Sequence, residues 1–310
     1  MEVISNVLLF PGQGSQKIGM GKDLFDKFAV AKDVFERVDN ALNFKLSTLM
    51  FDGNEEELNK TSNAQPAIMA VSMAYFEVLK SLGLVDMDNI KFMAGHSLGE
   101  YSALCAAGAL SLEDTAALLK ARGAYMMQAC IDHPGAMAAL IGFDYDKAKA
   151  VADDAGCFVG NSNSPAQIVL SGSRETVEKA CEQAKAQGVK RAIMLPVSGA
   201  FHSPLMQSAA DNMAEVIAAA KFAEPEVKVI SNLTAREYSN ADEIRDLLVK
   251  QITNTVKWQE SVVYIAENGD NKFIETGFGN ILSGLVKKIL PEAEITSAAD
   301  LLQAEYQKAI

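Results

Sequence analysis

The order of segments in this chain predicts a mainly parallel α/β architecture with a smaller antiparallel unit inserted into it. Strand-like apolar runs and helical stretches alternate along most of the 310 residues, and the rhythm changes between about Ala136 and Pro196. A third observation is the run Gly95-His-Ser-Leu-Gly99, which sits between an apolar stretch and an alanine-rich one, as at a tight strand-to-helix turn.

Taken in order, residues 3–10 read as the first strand, ending in the loop Pro11-Gly-Gln-Gly-Ser-Gln16. Residues 63–82 form a long helical zone, 90–94 a short buried strand, and 100–110 a helix packed against it. Ser111-Leu-Glu-Asp114 has the form of an N-cap with acids in the first turn, opening a helix that carries Arg122. Strands then follow at 136–142, 157–160, 167–172 and 189–196, with helices at 145–155 and 175–187 between them. That order, βαββαβ, is ferredoxin-like, which assigns residues 132–197 to an inserted subdomain and residues 1–131 with 198–310 to the larger one. Beyond it, helices are expected at 205–220, at 242–252 and after Gly279, and strands at 227–231 and 273–275.

Composition narrows the function. With 49% hydrophobic and 22% charged residues the chain can bury a large core, and no run of about 18 apolar residues predicts a membrane-spanning helix. Met1-Glu2-Val3 lacks the basic residues of a signal peptide, so the expected location is the cytoplasm. A net charge of -12 argues against nucleic acid as a partner. Cys105, Cys130, Cys157 and Cys181 are widely separated and there are only three histidines, so no metal site is expected.

The chemistry centres on Ser97. A serine at so tight a turn projects its hydroxyl away from the backbone, and the helix start behind it offers N–H groups to an oxyanion. A serine that merely caps the helix is the plainer alternative. A nucleophile also needs a base. His96 is the neighbour within the turn and is expected to point away and pack, while His133 precedes Pro134-Gly135 in what reads as a solvated loop. His202 remains, at the return from the inserted unit, where it can reach Ser97 across a cleft. No acid between Ser97 and His202 stands out as an orienting group. The glycine-rich loop after the first strand fails both phosphate-binding patterns, since Lys17 and Met20 stand where glycine and lysine are needed. Its glycines can still bring backbone N–H groups close to a reacting carbonyl. Arg122 reads locally as an ordinary helix arginine.

Together and in order, Phe10-Pro-Gly-Gln-Gly-Ser-Gln16, Gly95-His-Ser-Leu-Gly-Glu-Tyr-Ser102, Arg122-Gly, Gly135-Ala-Met-Ala, Asn163-Ser-Pro-Ala-Gln167, Gly199-Ala-Phe-His202 and Gln251 ahead of Trp258 resemble the bacterial malonyl-CoA:acyl carrier protein transacylases. The resemblance runs from the first strand to about Leu285 and implies a hydrolase-like α/β domain with a ferredoxin-like insertion. It implies Ser97 as the nucleophile, His202 as its base, and the main-chain carbonyl of Gln251 as the group that orients His202. It further implies the N–H groups of Gln13 and Leu98 as the oxyanion hole, Arg122 as the clamp on the malonyl carboxylate, and Asn163 as a residue lining the cleft. Leu98 and Phe201 match the malonyl-selective form. Ala166, Thr255 and Phe278 depart from the family pattern, at positions that touch no proposed catalytic atom. The implied activity needs no metal or redox cofactor: malonyl-CoA and holo acyl carrier protein are the substrates, in fatty acid biosynthesis, and a monomer is expected. A free-standing acyltransferase of a polyketide synthase would have almost the same site. A serine esterase or thioesterase would use the same turn with water as acceptor, and a non-catalytic carrier-binding module would have no use for the Ser97 and His202 pair. The paired cations Lys190-Arg191 and Lys287-Lys288 are the candidates for docking an acidic carrier.

Overall fold

The computed structural model describes residues 7–197, 199–268 and 271–308, so residues 3–6 of the expected first strand and Ser198 lie outside it. Its nine strands are β1 (Val7–Phe10), β2 (Phe92–Gly95), β3 (Ala136–Ile141), β4 (Phe158–Ser164), β5 (Gln167–Gly172), β6 (Arg191–Met194), β7 (Lys228–Ile230), β8 (Lys272–Glu275) and β9 (Glu294–Ser297).

Five of them make one sheet in the order β7-β2-β1-β8-β9 with every ladder parallel. The central strand β1 is apolar at all four positions, as a strand covered on both faces must be. Its side chains alternate between two clusters. Leu8 and Phe10 join the one built on the helices Ala29–Leu42, Thr61–Ser81, Leu112–Asp132 and Gln207–Ala219, while Val7 and Leu9 meet Trp258, Val262, Leu282 and Leu285 from the helices Trp258–Asn268 and Ile281–Ile289. Helices therefore cover both faces.

The other four strands form an antiparallel sheet in the order β4-β5-β3-β6. The helices Tyr145–Ala155 and Arg174–Ala186 pack Val151 and Val177 against Leu140, Ile168 and Leu170 of this sheet in an apolar cluster of their own. Their N-termini are capped by Asp144 and Ser173, whose side chains accept from the N–H groups of Lys147 and Thr176. The connectivity and strand order are ferredoxin-like.

Some expected boundaries move, for local reasons. β4 continues to Ser164 instead of stopping at Gly160, because its backbone also bonds the segment before the helix Trp258–Asn268: Val256 N–H donates to Gly160 O and Ser162 N–H to Val256 O, both at 2.9 Å. The helix after Ser97 ends at Ala106, where Gly108 turns the chain with φ 77°. The expected helix at 205–220 opens as a 3₁₀ turn, Pro204–Met206, before Gln207–Ala219. Among the described residues, β9, the helices Lys22–Lys27, Ala29–Leu42, Leu46–Asp52, Glu55–Asn59, Trp258–Asn268 and Ala298–Lys308 and the 3₁₀ turn Met87–Asn89 add to the expected set.

What matters for function is the alignment of β1 and β2. Phe10 pairs with Gly95, so the two parallel strands end level and their loops leave the sheet side by side at its carboxyl edge, where ligands of open α/β sheets bind.

Candidate active site

Ser97 sits in the turn between β2 and the helix Gly99–Ala106 with φ 54°, a left-handed conformation unusual for a residue with a Cβ. Its two flanking glycines are there because nothing larger fits. A Cβ on Gly95 would stand 1.9 Å from the carbonyl carbon and oxygen of Gly99, and one on Gly99 would stand 2.2 Å from Phe10 O. The turn has the geometry of a nucleophile elbow, and the Ser97 side chain does not cap the helix: it accepts no helical N–H and lies 2.8 Å from His202 Nε2.

His202, also at positive φ (58°), is the expected base. Ser97 Oγ lies 2.8 Å from His202 Nε2, and His202 Nδ1 lies 2.9 Å from the carbonyl oxygen of Gln251. A carbonyl only accepts, so the proton sits on Nδ1 and Nε2 is left bare to receive the serine proton. Burial, with the Arg122 charge adding to it, pushes the imidazole down to about 3. The imidazole is neutral at neutral pH, as the expected role of a base requires. His96 packs its ring against Trp258, with centroids 5.6 Å apart, and its Nε2 lies 2.9 Å from Asn163 Oδ1. Asn163 is thus engaged behind the elbow, and His133 is exposed at the C-cap of the helix Leu112–Asp132.

The loop after β1 reaches the same place. His96 N–H donates to Phe10 O at 3.0 Å, and a Cβ on Gly12 would stand 2.6 Å from His96 O, so only glycine allows this approach. The N–H groups of Gln13 and Leu98 donate to no acceptor among the described residues, whereas Ser97 N–H is taken by Asn232 Oδ1 at 2.7 Å. The two expected oxyanion donors are therefore the free ones.

Arg122 departs most from its local reading. It is 1% exposed, and its three hydrogen bonds all go to uncharged oxygens: Gln65 Oε1 at 2.9 Å, Gln251 Oε1 at 2.9 Å and Ser97 Oγ at 3.1 Å. Its Nε is buried with no partner, the Tyr101 ring lies 5.7 Å away, and burial lowers its pKa. A guanidinium held dry beside the Ser97 hydroxyl, with no carboxylate bonded to it, has the hydrogen-bonding capacity that an anion would satisfy. A cleft of about 640 Å³ lies beside the loop after β1, lined by Gln13, Lys60, Thr61, Met127, Cys130 and the buried Phe201.

Three polar residues were not expected here. Glu100, 1% exposed, accepts from Tyr238 OH, Gln251 Nε2 and, at 3.1 Å, Asn232 N–H. Asn232 also donates from Nδ2 to Gly95 O at 2.7 Å, which ties it to both ends of the elbow. Burial pushes the Glu100 carboxyl up to about 7 against these bonds. Glu100 is written into the run after Ser97 as a charged residue in a helix start that is otherwise apolar; Asn232 and Gln65 carry no such signal.

The whole arrangement has relatives. The pattern of the family described as the acyl transferase domain matches residues 7–306. The chain is 45% identical over 297 residues to the malonyl CoA-acyl carrier protein transacylase of Bacillus subtilis, covering 94% of this chain and 92% of that one. Among solved structures it resembles an acyl-carrier-protein-S-malonyltransferase from Bartonella henselae, with 44% identity, a TM-score of 0.93 and coverage of 98% and 99%. It also resembles a malonyl-transacylase solved in complex with its type II PKS acyl-carrier protein, with 39% identity, a TM-score of 0.90 and coverage of 94% of each chain. A family match over residues 7–306 and 45% identity to a relative covered over 92% of its length show that the chain belongs to the acyl transferase family.

Proposed function

We propose that this protein moves a malonyl group from malonyl-CoA to the phosphopantetheine thiol of an acyl carrier protein, through an ester on Ser97. The observation that carries the substrate class is Arg122, buried without a carboxylate partner and 3.1 Å from the nucleophile's oxygen. An acyl chain on Ser97 Oγ that ends in a carboxylate would supply the missing anion; an acetyl group would leave it missing.

The steps follow from the geometry. His202 Nε2 takes the proton as Ser97 Oγ attacks the thioester carbon, and the free N–H groups of Gln13 and Leu98 receive the oxyanion. The imidazolium then returns its proton to the departing coenzyme A sulfur, and Gln251 O holds the ring through Nδ1–H throughout. The carrier thiol attacks the ester by the reverse route, giving up its proton to the same nitrogen. The names of the relatives support this reading, and the complex with a type II PKS carrier favours a second setting for the same chemistry, service to a polyketide synthase. Lys60 and Ile131 are exposed where they line the cleft beside Gln13, the side from which we expect a thiol-bearing arm to approach.

Intact-mass measurement tests this. Incubated with malonyl-CoA, the protein is expected to gain one malonyl group, to keep it in buffer, and to lose it on addition of holo carrier protein; Ser97→Ala should gain none. Equal labelling of the alanine variant would refute the nucleophile. Rapid release of malonate without acceptor would replace the transferase by a hydrolase.

A further inference from the structure

We propose that Glu100 is a positioning residue for acyl-group selection: by fixing the orientation of the Gln251 carboxamide it aims Arg122 at the substrate carboxylate. The inference rests on the function proposed above and adds a residue to it.

Gln251 is the junction of the site. Its main-chain oxygen holds His202, its Oε1 accepts from Arg122 Nη2, and its Nε2 donates both to Ser97 O at 3.0 Å and to Glu100 Oε2. A carboxamide can be turned two ways, and the assignment here follows from its neighbours. Ser97 O and Glu100 Oε2 are acceptors on one side and Arg122 is a donor on the other, so only one orientation satisfies all three. Glu100 supplies, through Oε2, the side-chain acceptor of that set, beside the main-chain oxygen of Ser97. Its other oxygen is held by Tyr238 OH and Asn232 N–H, which leaves Oε2 no direction but Gln251. The carboxylate does not touch the guanidinium as an ion pair; it acts on it through the amide. Arg122 is therefore steered without being neutralised, and its charge stays available to a ligand.

Glu100→Gln keeps the shape and changes the hydrogen-bond code. A glutamine has one acceptor oxygen where the carboxylate has two. If that oxygen faces Gln251, Asn232 N–H meets an amide donor; if it faces Asn232, Gln251 Nε2 does. With two donors, Asn232 N–H and Tyr238 OH, on the far side, the oxygen faces them and the new amide N–H meets Gln251 Nε2, so only Ser97 O and Arg122 are left to favour the present orientation. A role confined to bracing the elbow predicts equal losses for every acyl group, so the readout is the ratio of single-turnover acylation rates with malonyl-CoA and acetyl-CoA, followed by intact mass. In Glu100→Gln the malonyl-to-acetyl ratio is expected to fall about tenfold to a hundredfold, the scale of one charge-assisted hydrogen bond. Tyr238→Phe, which leaves the Gln251 contact in place, should melt lower and keep the wild-type ratio. Should Glu100→Gln not fold, Glu100→Asp, whose carboxylate is withdrawn by one methylene, should lower the ratio in the same sense. Parallel losses of malonyl and acetyl transfer, or an unchanged ratio, in whichever of the two folds would overturn the proposal. A wild-type protein with no preference for malonyl would instead overturn the underlying function, so the two failures are distinguishable.

Discussion

Removing the guanidinium is the most direct test of substrate choice. In Arg122→Ala, a malonyl carboxylate loses two parallel charge-assisted hydrogen bonds, together roughly 3–6 kcal/mol. At about 1.4 kcal/mol per decade, kcat/KM for malonyl-CoA should fall about a hundredfold to ten-thousandfold. An acetyl group makes neither bond. Both substrates lose the 3.1 Å contact between Arg122 Nη2 and Ser97 Oγ, which is why the ratio of the two, and not either rate alone, carries the information. Alanine also strips Gln65 Oε1 and Gln251 Oε1 of their donor while relieving the burial of an unpaired cation. Those effects on stability oppose each other, so melting temperature serves as the control for folding. Arg122→Lys, a point charge with no planar fork, should restore only part of the malonyl activity. The assay is steady-state transfer with malonyl-CoA and acetyl-CoA in parallel. Losses of the same size for both would refute the clamp and leave Arg122 a structural residue.

Three further outcomes are expected. On acidification, His202 takes up its proton in the unfolded chain near its ordinary 6.5 but in the folded one only near 3, so it costs stability across that window by about 1.4 kcal/mol per pH unit. Glu100, with a folded value near 7 against 4.5, works in the opposite sense between those two values, so the two nearly cancel from 6.5 to 4.5 and the His202 loss emerges below 4.5; urea midpoints against pH should show Glu100→Gln losing stability from 6.5 downward and His202→Gln losing less below 4.5 than wild type. Gly99→Ala drives a Cβ to 2.2 Å from a main-chain oxygen that cannot swing away, so the variant should lose at least about 1–3 kcal/mol by urea unfolding; wild-type stability would mean the elbow is looser than described. Of the paired cations, Lys287 donates to Pro291 O and Ala293 O and Lys288 to Gln167 Oε1, whereas Lys190 and Arg191 are exposed and form no ion pair among the described residues. Reversing the charge of Lys190 and Arg191 should raise KM for carrier protein in a salt-sensitive way and leave acylation by malonyl-CoA unchanged; a normal KM would place docking elsewhere.

Much of this was legible in the residues, and the exceptions have physical causes. The alternation of apolar strands with helices, and the change of rhythm near Ala136, map onto the parallel and antiparallel sheets because periodicity records which faces are covered. β9 escaped because a four-residue edge strand, Glu-Ile-Thr-Ser, has too few covered positions to show a period. Ser97 and His202 could be found because the elbow constrains its neighbours and histidines are scarce. Gln251 could be reached only by resemblance, since a main-chain carbonyl that orients the base leaves no trace in the identity of its side chain. Arg122 lies in Leu118-Leu-Lys-Ala-Arg122, a helix run like any other; what makes it special is Gln65 and Gln251, 57 and 129 residues away.

Those distances along the chain have a consequence during synthesis. A ribosome delivers β1, β2 and the elbow early, but the base comes 105 residues after the nucleophile and the carbonyl that orients the base a further 49. β8, the neighbour of β1 on the side away from β2, is made later still. N-terminal parts of a chain tend to fold first, yet here a fragment ending before Gln251 would carry the serine without a competent proton acceptor. Such a fragment would be chemically silent towards acyl thioesters. On the function proposed above, the Ser97 hydroxyl would be armed only once the segment carrying Gln251 has docked.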